Sequence, residues 1–273
     1  MRTISTSLGP VAYERTGAGL PVVLLHANPG DRRDFAAVAP ALAREFDVVA
    51  VDWPGYGDSP APAAPHDITA VAFADLLPEI VTRLGIAPAI LVGNSVGGFA
   101  AAQLAITHPA LVRALVLVDT GGFTAHTPLS RAFCRLKGTE TGTRLLAAAL
   151  ARRYLRRRTP TVEAMLARAH THARNATAVT IDAALWRSFV APAHDLRARA
   201  AAIAVPTLIV WGRRDPLLRW DRDGANARRA MPHARFVALD TGHAPFAEDP
   251  VAFLEALLPF LREHVAQESA RGV

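Results

Sequence analysis

The chain of 273 residues is 51% apolar, carries a formal net charge of +6 and has one cysteine, Cys134. That apolar share excludes wholesale disorder, and a lone thiol excludes an internal disulfide framework. No apolar run reaches bilayer-spanning length and the first residues lack the apolar stretch of a signal peptide, so a cytoplasmic protein without membrane association is expected. In chain order, TISTSL (3–8) and VAYERTG (11–17) flank Gly9-Pro10 and predict a hairpin. PVVLLH (21–26) has the continuous apolar pattern of a strand buried on both faces. A helix is predicted over 34–46, a strand over 46–52 and a Gly- and Pro-rich loop over 53–65. A helix over 68–85 carries an internal Pro78 and ends at glycine. Strand 89–93, helix 99–108 and strand 112–119 follow.

The alternation then stops. Residues 123–199 have helical spacing, no convincing strand, and fourteen Arg or Lys against four Asp or Glu. Strand and helix resume at 206–212, 221–232, 235–240 and 251–265. The pattern predicts an α/β fold, a mostly parallel sheet wrapped by helices, with core residues 1–122 and 200–273. The helical insert 123–199, after the sixth strand, is expected to form a lid over the carboxyl edge of the sheet, where ligands bind in such folds.

VGNSVGGF (92–99) sits at a strand-to-helix junction, and Gly93-Asn94-Ser95-Val96-Gly97 fits G-x-S-x-G. A sharp turn there strains the serine backbone. Side chains two residues to either side would meet neighbouring backbone, which is a reason for glycine. A serine needs a base, and the base an orienting acid. Asp215 follows one late strand and His243 the next, in the order Ser, Asp, His. Asp119, ending VRALVLVD, is a second candidate for the acid. Taken singly, Ser95 could cap a turn, Asp215 could do the same, and His243 could be a loop histidine. All three at strand ends make a serine nucleophile the better reading.

LLHANPG, DWPGYGDSP, GNSVGG, WGRRDP and GHAPFAEDP together resemble the α/β-hydrolase superfamily, of the kind with a helical cap, over roughly residues 10–265. The resemblance implies an α/β-hydrolase fold and a cofactor-independent hydrolase with Ser95 as nucleophile, His243 as base and Asp215 as acid. It implies an oxyanion hole from the backbone N–H groups of Asn28 and Val96. It also implies a bracing turn from Asp52, Gly55, Gly57 and Ser59. Ala27 stands where relatives carry glycine, and His26 is expected to hold that loop rather than do chemistry. The expected bond is a carboxylic ester or lactone in a small molecule. A diketone-type C–C bond, and a slow-turnover ligand receptor on the same fold, are the alternatives. Within the insert, His194 and Trp186 are candidates for substrate contact. Arg152, Arg153, Arg156, Arg157 and Arg158 could attract an anionic or carrier-bound substrate. The basic block lacks the interleaved aromatics of a nucleic-acid surface, and a solvated helix face is its plainest reading. His170 and His172 lack the spacing and the companions of a metal site, and GNSVGG is no phosphate-binding loop, so neither metal nor nucleotide cofactor is expected. The environment of Cys134 matches no nucleophile motif, and the sequence sets no oligomeric state.

Overall fold

The computed structural model describes residues 1–271; residues 272–273, the end of the expected second core segment, lie outside the described residues. Eight strands form one sheet in the order β1-β2-β4-β3-β5-β6-β7-β8. The hairpin is present as β1 (Arg2–Thr6) and β2 (Gly9–Thr16), turning at Ser7-Leu8 rather than at Gly9-Pro10. From β4 (Asp47–Val51) and β3 (Pro21–Leu25) onward the pairing is parallel. β5 (Ala89–Asn94), β6 (Val112–Val118), β7 (Thr207–Gly212) and β8 (Arg235–Leu239) continue it to the far edge. Strands β4, β5 and β7 are buried at every residue, as their unbroken apolar runs require when helices cover both faces.

The expected helix over 34–46 is not formed. A short 3₁₀ turn, Arg32–Phe35, is closed by an Asp31 capping box, and only α1 (Ala39–Leu42) is α-helical. Pro40 sits in the first turn of α1, the helical position that suits proline best, so the helix begins there rather than at residue 34. The helix α2 (Ala70–Arg83) does accommodate Pro78 in its interior. It packs with α3 (Val96–Thr107) on one face of the sheet. Between β6 and β7 lie α4 (Pro128–Lys137), α5 (Glu140–Tyr154), α6 (Pro160–His172) and α7 (Ala176–Ser188), with no strand among them. The helix expected over 221–232 divides into a wide π turn at Trp220–Gly224 and α8 (Ala225–Ala230). The four-residue α9 (Pro245–Glu248) and α10 (Pro250–Arg271) complete the chain described. No helix among the described residues is long and apolar enough to cross a membrane.

The bracing turn after β4 is built as the resemblance implies. Asp52 is fully buried and accepts from the Arg32 N–H at 2.7 Å and the Asp58 N–H at 2.9 Å, with the Arg32 guanidinium against it. A side chain on Gly57 would lie within 2.5 Å of that carboxylate. Ser59 Oγ donates to the Asp52 carbonyl and accepts from the Ala12 N–H, both at 2.8 Å, so the turn is tied to β2. Ser59→Ala strands a buried N–H, and urea unfolding is expected to show a loss of about 1–3 kcal/mol. An unchanged midpoint would mean that the tie carries no stability.

Candidate active site

Ser95 stands alone between β5 and α3, at φ 54° and ψ −113°. Such a conformation costs an L-residue on the order of 1–3 kcal/mol and persists only when its surroundings enforce it. A Cβ on Gly93 would lie 2.4 Å from the Gly97 carbonyl oxygen. One on Gly97 would lie 2.4 Å from the Leu25 oxygen and 2.9 Å from that of His26. The glycines therefore let the elbow press directly on the end of β3. Leu25 pairs with Gly93 across β3 and β5, so Asn28 and Val96 each lie three residues beyond a matched pair. Val96 opens α3, and its N–H is one of those a helix start leaves without an intrahelical acceptor.

Asp215 follows β7 and His243 follows β8, at the same edge. Both are buried, and His243 Nδ1 lies 2.6 Å from Asp215 Oδ2. Asp215 Oδ1 accepts from the N–H groups of Leu217 at 2.8 Å and Leu218 at 3.1 Å. A proton on Nδ1, donated to the carboxylate, leaves Nε2 with the lone pair that a base requires. Asn94, the residue before Ser95, donates through Nδ2 to the His243 carbonyl and to that of Val118, both at 3.0 Å. The His243 loop is thereby held against the elbow.

Asp119 is part of the same cluster. It sits at φ 39° beyond β6, fully buried, and Oδ1 accepts from the Gly212 N–H at 2.9 Å. Its Oδ2 is buried without a partner. Burial, and after it the neighbouring Asp215 charge, pushes the Asp119 carboxyl well above the usual carboxylate range. Among the described residues, Asp119, Asp215 and His243 are the one group of three His, Cys, Asp or Glu side chains with donor atoms within 4.8 Å of one another. His170 and His172 enter no such group.

Several residues that sequence reasoning passed over organise these groups. Glu248 is buried, and its Oε2 accepts from Gly242 N–H at 2.9 Å, Arg156 N–H at 2.8 Å and Arg157 N–H at 3.0 Å. Its Oε1 accepts from Ala244 N–H at 3.2 Å, and His243 N–H donates to the Tyr154 carbonyl at 2.9 Å. One carboxylate thus stitches the His243 loop to the segment between α5 and α6. Glu248 lies within GHAPFAEDP, so the motif was visible while the partners were not. Of the five arginines singled out, Arg156 reaches the Arg214 carbonyl, Arg157 pairs with Asp249 and Arg158 with Glu163. Arg152 and Arg153 are exposed.

The β3 loop is held from two sides. His26 Nε2 accepts from the Trp53 N–H at 3.0 Å, which leaves Nδ1 to donate to the Ala27 carbonyl at 2.7 Å. Burial lowers its pKa, in keeping with a neutral structural histidine. The Asn28 side chain accepts from Tyr56 OH at 2.6 Å and donates to Asp182 on α7 at 2.8 Å. Asp182 is bound in turn by Lys137 Nζ at 2.7 Å, and this pair is buried.

Ser95 and Val96 line a cavity of about 90 Å³ beneath α4 and α7, with Phe133, Cys134, Trp186, Phe189, His194 and Leu217 in its wall. Both insert residues singled out as substrate contacts are therefore at the cavity. Cys134 is buried and its thiol is pushed up to about 11 by that burial, which makes it a poor nucleophile. A larger cleft of about 450 Å³, lined by Asp31, Arg33, Asp34, Arg168 and His172, contains none of Ser95, Asp215 and His243, whereas the smaller cavity has Ser95 in its wall. Its acids are bound by Arg168, so the smaller cavity is the chemical candidate.

Residues 21–250 match the family model of the alpha/beta hydrolase fold, and the chain belongs to that family. It is 28% identical to Lipase 1 of Psychrobacter immobilis over 252 residues, 87% of this chain and 76% of that one. An esterase from Thermogutta terrifontis superposes with a TM-score of 0.82 at 27% identity, covering 96% of this chain and 98% of its own. An enol-lactonase from Burkholderia xenovorans does so with a TM-score of 0.82 at 25% identity, covering 96% and 100%. The chain is an enzyme of the hydrolase class.

Two outcomes follow from the buried polar groups. Lys137→Met leaves the Asp182 carboxylate buried and unpaired, and calorimetry or urea unfolding is expected to show a loss of about 3–5 kcal/mol. Burial lowers the His194 pKa from 6.5 to about 4. Between those values the unfolded chain takes up a proton that the folded chain refuses, so this histidine makes stability fall as pH drops from 7 towards 4. In His194→Phe the loss between pH 7 and pH 5 is expected to be smaller by about 2 kcal/mol. Parallel curves for the two proteins would refute it.

Proposed function

We propose that the chain is a cofactor-independent serine hydrolase of carboxylic esters or lactones, acting through an acyl-enzyme on Ser95. The observation that carries this reading is the bond from His243 to Asp215 at the sheet edge where the strained Ser95 emerges. His243 Nε2 takes the Ser95 hydroxyl proton as Oγ forms a bond to the substrate carbonyl carbon. The carbonyl electron pair moves onto its oxygen, which the N–H groups of Asn28 and Val96 receive. The carbon–oxygen bond of the leaving group breaks, and His243 returns the proton to that oxygen. Water repeats the sequence on the acyl-enzyme and frees the acid. The named esterase, lipase and enol-lactonase relatives support the carbonyl–oxygen bond as the one cleaved.

Asp215 is the orienting acid in this reading. It touches His243, and its other oxygen is satisfied by two N–H groups, as suits a carboxylate. Asp119, driven towards its neutral form, is suited to backing Asp215 rather than replacing it. Residues 123–199 act as the lid, with core segments on either side, and the Asn28–Asp182–Lys137 chain couples the lid to the oxyanion loop. Any attraction for an anionic or carrier-bound substrate falls to Arg152 and Arg153, because Arg156 to Arg158 are engaged elsewhere.

With p-nitrophenyl butyrate as substrate, Asp215→Asn is expected to lower kcat by about 10³–10⁴, while Asp119→Asn stays within about tenfold of the parent. Ser95→Ala is expected to abolish both turnover and labelling by a fluorophosphonate. Collapse of Asp119→Asn with Asp215→Asn active would transfer the acid role to Asp119. Labelling that survives in Ser95→Ala would remove the serine mechanism.

A further inference from the structure

Two residues of the cavity wall beside Ser95 each carry a fully buried ring nitrogen that no protein group satisfies: His194 Nε2 and Trp186 Nε1. Its other polar side chains mostly have partners. His126 Nε2 donates to the Phe189 carbonyl at 2.9 Å, Ser130 Oγ donates to the Thr127 carbonyl at 3.0 Å, and Arg222 binds Asp223. The rest of the wall is largely apolar, with Phe133, Phe189, Leu217 and Leu218. Leaving a polar group unpaired in such surroundings is costly, so one that persists is a candidate for meeting an occupant.

The chemistry of each nitrogen is defined. His194 Nδ1 donates to the Phe189 carbonyl at 3.1 Å, and that carbonyl offers no proton in return. The proton of a neutral ring is therefore on Nδ1, and Nε2 presents only a lone pair. Burial keeps the ring neutral at ordinary pH. Phe99 and Phe189 lie against it at centroid distances of 4.4 and 5.1 Å, so the ring cannot swing away freely. A Cβ on Gly121 would lie 3.2 Å from His194 Nε2, and Gly121 N–H donates to the Ser95 carbonyl at 3.0 Å. The lone pair is thus beside the nucleophile's backbone. Trp186 Nε1 can only donate, and Phe189 packs edge-on to that indole at 5.4 Å.

We propose that this cavity takes an acyl group that bears a hydrogen-bond donor, a hydroxyl or an amide N–H, received by His194 Nε2, with Trp186 Nε1 donating to an oxygen of the same group. The inference rests on the serine-hydrolase reading and names the substrate class within it. A plain alkyl chain fills the space but leaves both nitrogens unpaired. A site built to bond a polar group discriminates against the analogue lacking it far more than an apolar pocket discriminates by one methylene.

The test compares p-nitrophenyl esters of butyrate, 3-hydroxybutyrate and N-acetylglycine, each kcat/KM divided by the ester's own hydroxide-catalysed rate. The parent enzyme is expected to favour at least one donor-bearing ester over butyrate by about tenfold or more. Preference for hydroxybutyrate assigns a hydroxyl, and preference for acetylglycine assigns an amide. In His194→Phe the favoured ratio should fall towards one. Trp186→Phe, which keeps a flat ring and removes only the N–H, should reduce it severalfold and serves where the first variant fails to fold. A parent ratio near one, or a ratio untouched by both substitutions, overturns the proposal. If Ser95→Ala still hydrolyses butyrate, the serine mechanism has failed instead. If it does not and the ratio is flat, only the subsite has failed.

Discussion

The close approach of Gly97 to the carbonyl groups of Leu25 and His26 is the constraint on which the rest of the site depends. It allows the helix after Ser95 to start on top of the neighbouring strand, with the serine held in a backbone conformation that it would not adopt alone. Because the strands on either side pair in register up to Leu25 and Gly93, the chain leaves β3 towards Asn28 and β5 towards Val96 at the same edge. The buried sheet makes this geometry hard to relax, since β5 has no exposed residue. Strain at one serine is thus maintained by packing spread over the whole core.

A second layer of control comes from carboxylates that face backbone rather than substrate. Glu248 collects four backbone N–H groups from two distant segments, and Asp52 collects two, those of Arg32 and Asp58, for the turn after β4. Hydrogen bonds to an ionised acceptor are the stronger kind, and burial intensifies them. Each also joins pieces far apart in sequence. The insert is therefore no loose cover: its residues 154–157 are bonded to the loop that carries His243, and α7 is bonded to Asn28. A movement of the insert would be felt both at His243 and at Asn28.

The strand positions, the helical insert and the family were legible because each rests on local signals. Uniformly apolar strands, a glycine-fenced serine and strand-end Asp and His residues are visible in short windows. The failures have a common cause. Pro40 stands in the first turn of α1, and the stretch with helical spacing is divided there between a 3₁₀ turn and a short helix. The partnership of Lys137 with Asp182 joins residues 45 apart, and that of Arg156 with Glu248 joins residues 92 apart. No periodicity encodes such pairs. Asn94 passed as an unassigned position inside G-x-S-x-G, although its side chain reaches 149 residues onward to the His243 carbonyl. Asp119 and Asp215 were both visible as candidates, yet only the folded structure shows the burial, and after it the nearness of Asp215, that pushes the Asp119 carboxyl up.

Lys137 is the chain's sole lysine, and it lies buried at the last position of α4, within the insert. A lysine-specific endopeptidase therefore has a single recognition point in all 273 residues, shielded by its burial in the folded chain. Scission there, yielding two fragments of about equal mass, amounts to a built-in reporter of how often the chain opens locally around Lys137.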